Sequence, residues 1–245
     1  MLKQELEIES VIADKLLSPT YSLLVNFKTK APGSFQHCER VMNYMEKCGL
    51  ALHLNIDICK IIGMYHDIGK SILPIYFSEN QSKDINVHDT LDPKLSHQIL
   101  ISHVAHGASI LTEQCQEMPT NLIKVMMQHH GNGVLKGIHS KVKDTASEDE
   151  FRYPHKKPDN VYAGTLMICD TIEAAIKSMT QAETPLKTEN ISDTIRKIIG
   201  GMIDSGQLDS MTHGDTRVIT DVLINEYDVI NSKRVEYPDN HTEII

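Results

Sequence analysis

No Cys-x-x-Cys pair occurs among the five cysteines, Cys38, Cys48, Cys59, Cys115 and Cys169. An odd count, behind a polar and acidic N-terminus (MLKQELEIES) with no secretory character, excludes a disulfide framework and implies reduced thiols in a cytoplasmic compartment. No run approaches the roughly 18 apolar residues needed to span a bilayer, so the chain as given is expected to be soluble. Positive charge is in deficit: 24 Lys and Arg against 33 Asp and Glu give a net charge of −9. That balance argues against a long nucleic-acid polyanion as the main partner and leaves room for a small anionic substrate. Alternating strand patterns are scarce, and there is no internal repeat or low-complexity tract.

What is present is helical spacing in an ordinary globular composition, 40% apolar and 23% charged. Ile58, Ile61, Ile62 and Tyr65 recur at i, i+3, i+4 and i+7, as do Leu122, Val125, Met126 and His129, which is the stripe of an amphipathic helix. Start and stop signals place Ser34, after Pro32-Gly33, as the cap of a helix ending near Gly49, with further starts at Asp92-Pro93, at Pro119-Thr120 (running to Gly131) and at Pro158-Asp159 (running to about Met179). Helices are expected again over 189–204 and 214–232. Residues 72–91 and 140–158 read as loops, the second overhanging a site. The expectation is an all-α chain with one main core, preceded by a short helical linker over residues 1–30.

The 13 histidines matter where they fall on faces that should be apolar. His129 and His130 continue the Leu122 stripe, and His103 lies four residues after Ile99. Asp170 sits four residues after Leu166 in an uncharged run, where an unpaired carboxylate is costly to bury. His66 and Asp67 end the Ile58 stripe. Any one of these is ordinarily a core histidine bonded to a carbonyl, or an aspartate capping a turn. A divalent cation satisfies all of them together, because it neutralises buried carboxylates and takes imidazole nitrogens as ligands.

His37, His66-Asp67, His103, His129-His130 and Asp170, in that order, resemble the H…HD…H…HH…D signature of the HD-domain metal-dependent phosphohydrolases. The segments APGSFQH, YHDIGK, ENQ, HDTLDPKLS, ISHV, QHHG, EDEFRYP, DTIEAA, DSGQLD and VEYP are further similar to one branch, the PgpH-type cyclic di-AMP phosphodiesterases (the 7TM-HD branch), from about Leu16 to Pro238. The resemblance implies an HD-domain helical bundle over 31–245, with core ligands between 37 and 170, C-terminal helices over 181–245 and a buried dinuclear metal site. Members of that branch carry the module at the cytosolic end of a membrane protein, so the chain is either an excised module or a free-standing relative. Gln36 stands where relatives tend to have a second His, and His155-Lys156 replaces a Gly-Pro pair. His53, His88, His97 and His106 match no ligand position.

The resemblance assigns His37, His66, Asp67 and Asp170 to one ion and Asp67, His103, His129 and His130 to the other, with Asp67 bridging. Two ions roughly 3.5–4 Å apart hold a shared hydroxide that attacks the phosphodiester in line. Nitrogen and oxygen ligands without thiolate favour iron or manganese over a structural zinc site, with cobalt or nickel also fitting. Lys70, three residues after Asp67, is placed to neutralise a phosphate or the departing 3′ oxygen, against the alternative of a solvent-facing lysine. Lys136, Arg152, Lys156 and Lys157 are candidate phosphate contacts, and Tyr76 and Phe77 candidate base contacts or core residues, aromatics being only 5% of the chain. The implied activity is hydrolysis of cyclic di-AMP to linear pApA. A cyclic di-GMP enzyme of the HD-GYP kind is the nearest alternative, disfavoured because GNGVLKG after His130 lacks Gly-Tyr-Pro. A nucleotide-binding regulatory module is the non-enzymatic alternative.

Overall fold

The computed structural model describes residues 6–81, 86–181 and 189–232. Among these, the chain forms α1 (Ser10–Leu16), α2 (Ser22–Lys30), α3 (Pro32–Ala51), α4 (Ile56–Tyr65), α5 (Pro93–Gln114), α6 (Thr120–Met126), α7 (Lys136–His139), α8 (Val161–Gln181), α9 (Glu189–Asp204) and α10 (His213–Ser232). The architecture is all-α, and no described helix is long and apolar enough to cross a membrane. The VEYP segment, residues 235–238, lies outside the described residues.

Helix α3 is the axis of the bundle, packing against α2, α4, α8 and α10. Its apolar face meets the Ile58, Ile61 and Ile62 stripe of α4 and the Leu166 face of α8 in a core whose members, Met45 among them, are fully buried. Each such side chain contributes roughly 1.5–3 kcal/mol through burial. Helices α1 and α2 give Leu16 and Phe27 to that same core, and the Tyr65 hydroxyl donates to the Leu16 carbonyl at 2.7 Å. At the other end the Tyr44 and Tyr227 hydroxyls join α3 to α10 at 2.8 Å.

Local signals explain several boundaries. The Asn55 carboxamide accepts from Ile58 N at 3.2 Å to open α4, and Asp92 accepts from Lys94 N and Leu95 N to open α5 with Pro93 in its first turn. Two boundaries differ from the sequence expectation. Helix α3 begins at Pro32, and Ser34 is not its cap: the free N–H groups of Gly33 and Ser34 donate to Asn80 Oδ1 at 2.9 and 3.1 Å, and Ser34 Oγ donates to Glu79. The cap is supplied from 46 residues away, by a segment that was expected to be plain loop but holds three short 3-10 turns at Pro74–Tyr76, Ser78–Asn80 and Val87–Asp89.

The second difference is α6, expected to run to Gly131, which ends at Met126. The chain there tightens into bonds from Gln128 N to Val125 O and from His129 N to Met126 O, then turns through Gly131 at φ 52°. The expected overhanging loop over 140–158 is tied down by a capping box at Ser147 and Glu150 and by backbone pairing of Val134 with Arg152.

The 3-10 turn Ile68–Ser71, directly after His66-Asp67, lies against α5 through glycine. A Cβ on Gly69 would stand 1.9 Å from the His103 carbonyl oxygen and 2.4 Å from Gly107 N, whereas one on Gly107 would meet nothing nearer than 3.4 Å. This approach sets His103 beside Asp67. Gly69→Ala is expected to cost about 1–3 kcal/mol by overpacking, and Gly107→Ala to be neutral or slightly stabilising through helix propensity. Urea unfolding of the two variants checks this; equal losses would contradict it.

Candidate metal centre

Five separate segments deliver the site: α3 brings His37, the end of α4 brings His66 and Asp67, α5 brings His103, the turn after α6 brings His129 and His130, and α8 brings Asp170. Asp67, 1% exposed, is the meeting point. Its Oδ2 lies 3.5 Å from His66 Nε2 and 3.6 Å from His37 Nε2, and its Oδ1 lies 3.2 Å from His103 Nε2 and 3.6 Å from His129 Nε2. Asp170 reaches His37 Nε2 at 3.0 Å, His66 Nε2 at 3.7 Å and, through its other oxygen, His130 Nδ1 at 3.7 Å.

The rings are oriented from behind. His66, His103 and His129 donate Nδ1–H to the carbonyls of Gly63, Leu100 and Met126 at 2.9, 2.6 and 2.6 Å. A carbonyl can only accept, so each of these rings carries a proton on Nδ1 and turns Nε2 inward, toward the carboxylates. His103 Nε2 and His129 Nε2 then face each other at 3.3 Å beside a carboxylate oxygen, a spacing that either a proton or a cation among these atoms satisfies. His66 Nε2 and Asp67 Oδ1 are buried without a hydrogen-bond partner. Two groups of donors, Asp67, His103, His129, His130 and His37, His66, Asp67, Asp170, each have their ligand atoms within 4.8 Å of one another. Orphaned acceptors, convergent lone pairs and a shared carboxylate fit divalent cations. No thiol joins them: Cys38 Sγ comes nearest and lies 3.8 Å from His66 Nδ1, on the ring's outer side.

The electrostatics carry the same demand for positive charge. Burial resists ionisation of Asp67 and Asp170, but Lys70 and His66 on the former and His37 and His66 on the latter hold both well below the usual carboxylate range. Burial also disfavours charge on His37, yet Asp170 and Glu173 push it up to about 9. Burial lowers His129 and His130, leaving them neutral as ligands must be. Lys70, its side chain 14% exposed, bridges Asp67 Oδ2 at 2.7 Å and Glu79 at 2.9 Å.

Clefts of about 870, 730 and 370 Å³ open around the cluster and meet at His130. Lys70 lines the first and third, Tyr76 and Lys141 the third, and Lys136, Arg152 and Lys197 the second. Phe77 is buried edge-on against His103 at 5.6 Å. Lys156 lines a different cleft beside Lys124 and Gln128, and Lys157 donates to the Ser205 carbonyl. His88 and His97 are bonded to the carbonyls of Tyr76 and Arg152, away from the cluster. Sequence reasoning missed Glu173, Arg40, Glu79 and Tyr153. Glu173 had a signal, one helical turn after Asp170; Tyr153, stacked on His130 at 4.3 Å, had only its place in the EDEFRYP segment.

Glu79 allows a pH test. Burial pushes it up, but Lys70 outweighs that and brings it to about 2 from an ordinary 4.5. A depressed carboxylate stabilises the fold above its unfolded pKa and loses that contribution as pH falls through its folded one, here by at most about 3 kcal/mol. The stability difference between wild type and Glu79→Gln is therefore expected to be largest above pH 4.5 and to shrink toward pH 2, measured by urea unfolding at stepped pH. A flat difference would contradict the pairing.

Comparison with known proteins agrees with this geometry. The HD domain model matches residues 34–175. The chain is 35% identical over 235 residues to the cyclic-di-AMP phosphodiesterase PgpH of Listeria monocytogenes serotype 1/2a (strain 10403S), covering 92% of this chain and 31% of that protein. It is 34% identical over 230 residues to PgpH of Bacillus subtilis (strain 168), covering 92% and 32%. The chain thus spans about a third of the length of these curated relatives. The crystal structure of the L. monocytogenes PgpH HD domain in complex with cyclic-di-AMP superposes with a TM-score of 0.80 at 34% identity, over 87% of this chain and 99% of that one. Since the matched segment takes in every residue of the cluster from His37 to Asp170, the chain belongs to the HD domain family.

Proposed function

We propose that this chain is a metal-dependent phosphodiesterase that hydrolyses cyclic di-AMP to linear pApA, and that it acts in the cytosol as a domain of a larger, membrane-tethered protein. The observation that carries the reading is the convergence on Asp67 of bare imidazole nitrogens and a second carboxylate, in a chain similar throughout to an HD domain solved with cyclic-di-AMP. Two divalent ions would be held, one by His37, His66, Asp67 and Asp170 and the other by Asp67, His103, His129 and His130. Iron or manganese suits this nitrogen and oxygen set without thiolate. When bound, such a pair polarises the phosphate oxygens and lowers the pKa of water toward neutrality.

The protein's own groups do the rest. Lys70 places a cation at the mouth of the site, where it neutralises charge on the phosphate and the departing 3′ oxygen; Glu79 keeps it there. Lys136 and Arg152 sit on one wall. Arg152 is held by Asp149, which is 79% exposed, so that ion pair is weak and yields to a phosphate at little cost. Tyr76, in the adjoining cleft, offers a ring to a base. An overall charge of −9 is no obstacle for a compact dianion, because the local field of ions and Lys70 dominates at short range.

Incubation of manganese- or iron-loaded protein with cyclic di-AMP is expected to yield the linear dinucleotide, read by chromatography; absence of product at high enzyme concentration would reject the reading. Asp67→Asn removes the shared ligand and is expected to reduce kcat/KM by more than the roughly 100-fold that loss of an outer-shell partner costs, with bound metal falling in parallel. Lys70→Ala is expected to lower kcat by about 10²–10³-fold while metal content is kept.

A further inference from the structure

The imidazoles of the cluster are not backed alike. His66, His103 and His129 lean on backbone carbonyls, which are neutral dipoles. His37 instead sets Nδ1 against the Glu173 carboxylate, which is 3% exposed and receives Arg40 Nε on its other oxygen. A carboxylate at the outer nitrogen, its charge only partly offset by Arg40, whose side chain is 38% exposed, draws the ring toward imidazolate more than a neutral carbonyl does and makes Nε2 a stronger donor to a cation. His37 also belongs to the group with two carboxylates, Asp67 and Asp170, whereas the other group has Asp67 alone. In that second group His130 is the least anchored member, its side chain 23% exposed and held by stacking on Tyr153. Lys70 opposes this order from 2.7 Å on Asp67 Oδ2, but Glu79 offsets its charge from 2.9 Å.

We propose that Glu173, fixed by Arg40, is a positioning residue that makes the two cation positions unequal: the His37, His66, Asp67, Asp170 position fills first and retains its ion, and the His103, His129, His130 position fills second and exchanges with free ion. This rests on the two-ion reading above. Its consequence is that occupancy of the second position, and with it turnover, follows the free metal concentration while the first stays loaded.

Manganese titration of the metal-free protein, read by equilibrium dialysis with metal analysis and by electron paramagnetic resonance, tests it. Wild type is expected to take two ions per chain with dissociation constants at least about tenfold apart, and Glu173→Gln to weaken the tighter one by about 10–100-fold while leaving the weaker one in place. His103→Ala is expected to lose only the weaker ion. Arg40→Gln breaks the α3 to α8 ion pair but leaves a carboxylate on His37, so it separates a structural clamp from an effect on the metal: the tighter dissociation constant should rise less than in Glu173→Gln at a similar loss of thermal stability. Equal constants in wild type, or a tight constant unmoved by Glu173→Gln, would overturn the inference alone. A wild type that binds fewer than two ions would overturn the two-ion reading and this inference with it.

Discussion

A carboxylate 1% exposed, Asp67, is the constraint around which the rest is arranged. Left alone, such a charge costs several kcal/mol to bury. The protein meets that cost with partners from every side: Lys70 on one oxygen and imidazoles on both. Because the partners come from different helices, packing α3, α4, α5 and the turn after α6 together and neutralising Asp67 are one event. The same helices bury the apolar stripes that drive assembly, so the polar centre is built by the hydrophobic core that surrounds it.

Orientation of the rings is largely a local matter. His66, His103 and His129 each bond the carbonyl three residues earlier, a contact that helical geometry offers at the last turn of a helix or along its face. Each ring is thereby held in one orientation, with Nε2 turned inward. His37 instead takes its partner from α8, and His130 is held by stacking on Tyr153. The region around the centre is assembled by equally distant contacts: Asn80 caps α3, Glu79 holds Lys70, and Gly33 and Gly69 let backbone approach backbone where any Cβ would intrude.

These contacts show how much could be read beforehand. The helices, their approximate bounds and six members of the cluster were legible because inward imidazoles and carboxylates interrupt apolar stripes at helical spacing, whereas His37 stood out only through the resemblance in order. The Ser34 cap was misplaced because a hydroxyl near a helix start is a local signal, while the actual acceptor, Asn80, lies far along the chain. The end of α6 was overrun because the Leu122 stripe continues through His129 in period although the backbone has already tightened. Phe77 was read as either a base contact or core, and Tyr153 was not singled out within EDEFRYP, since whether a ring packs on an imidazole or faces a cleft depends on neighbours brought in by folding.

By itself, then, the sequence determined the helical class, the absence of a disulfide framework and the identity of the residues able to hold cations, because periodicity and side-chain chemistry are local properties. Only the tertiary structure decided that Asn80 caps α3, that His37 leans on Glu173 rather than a carbonyl, and that the clefts meet at His130. Each of those is a distance between segments far apart in the chain, and such distances follow from how the helices pack rather than from any one of them.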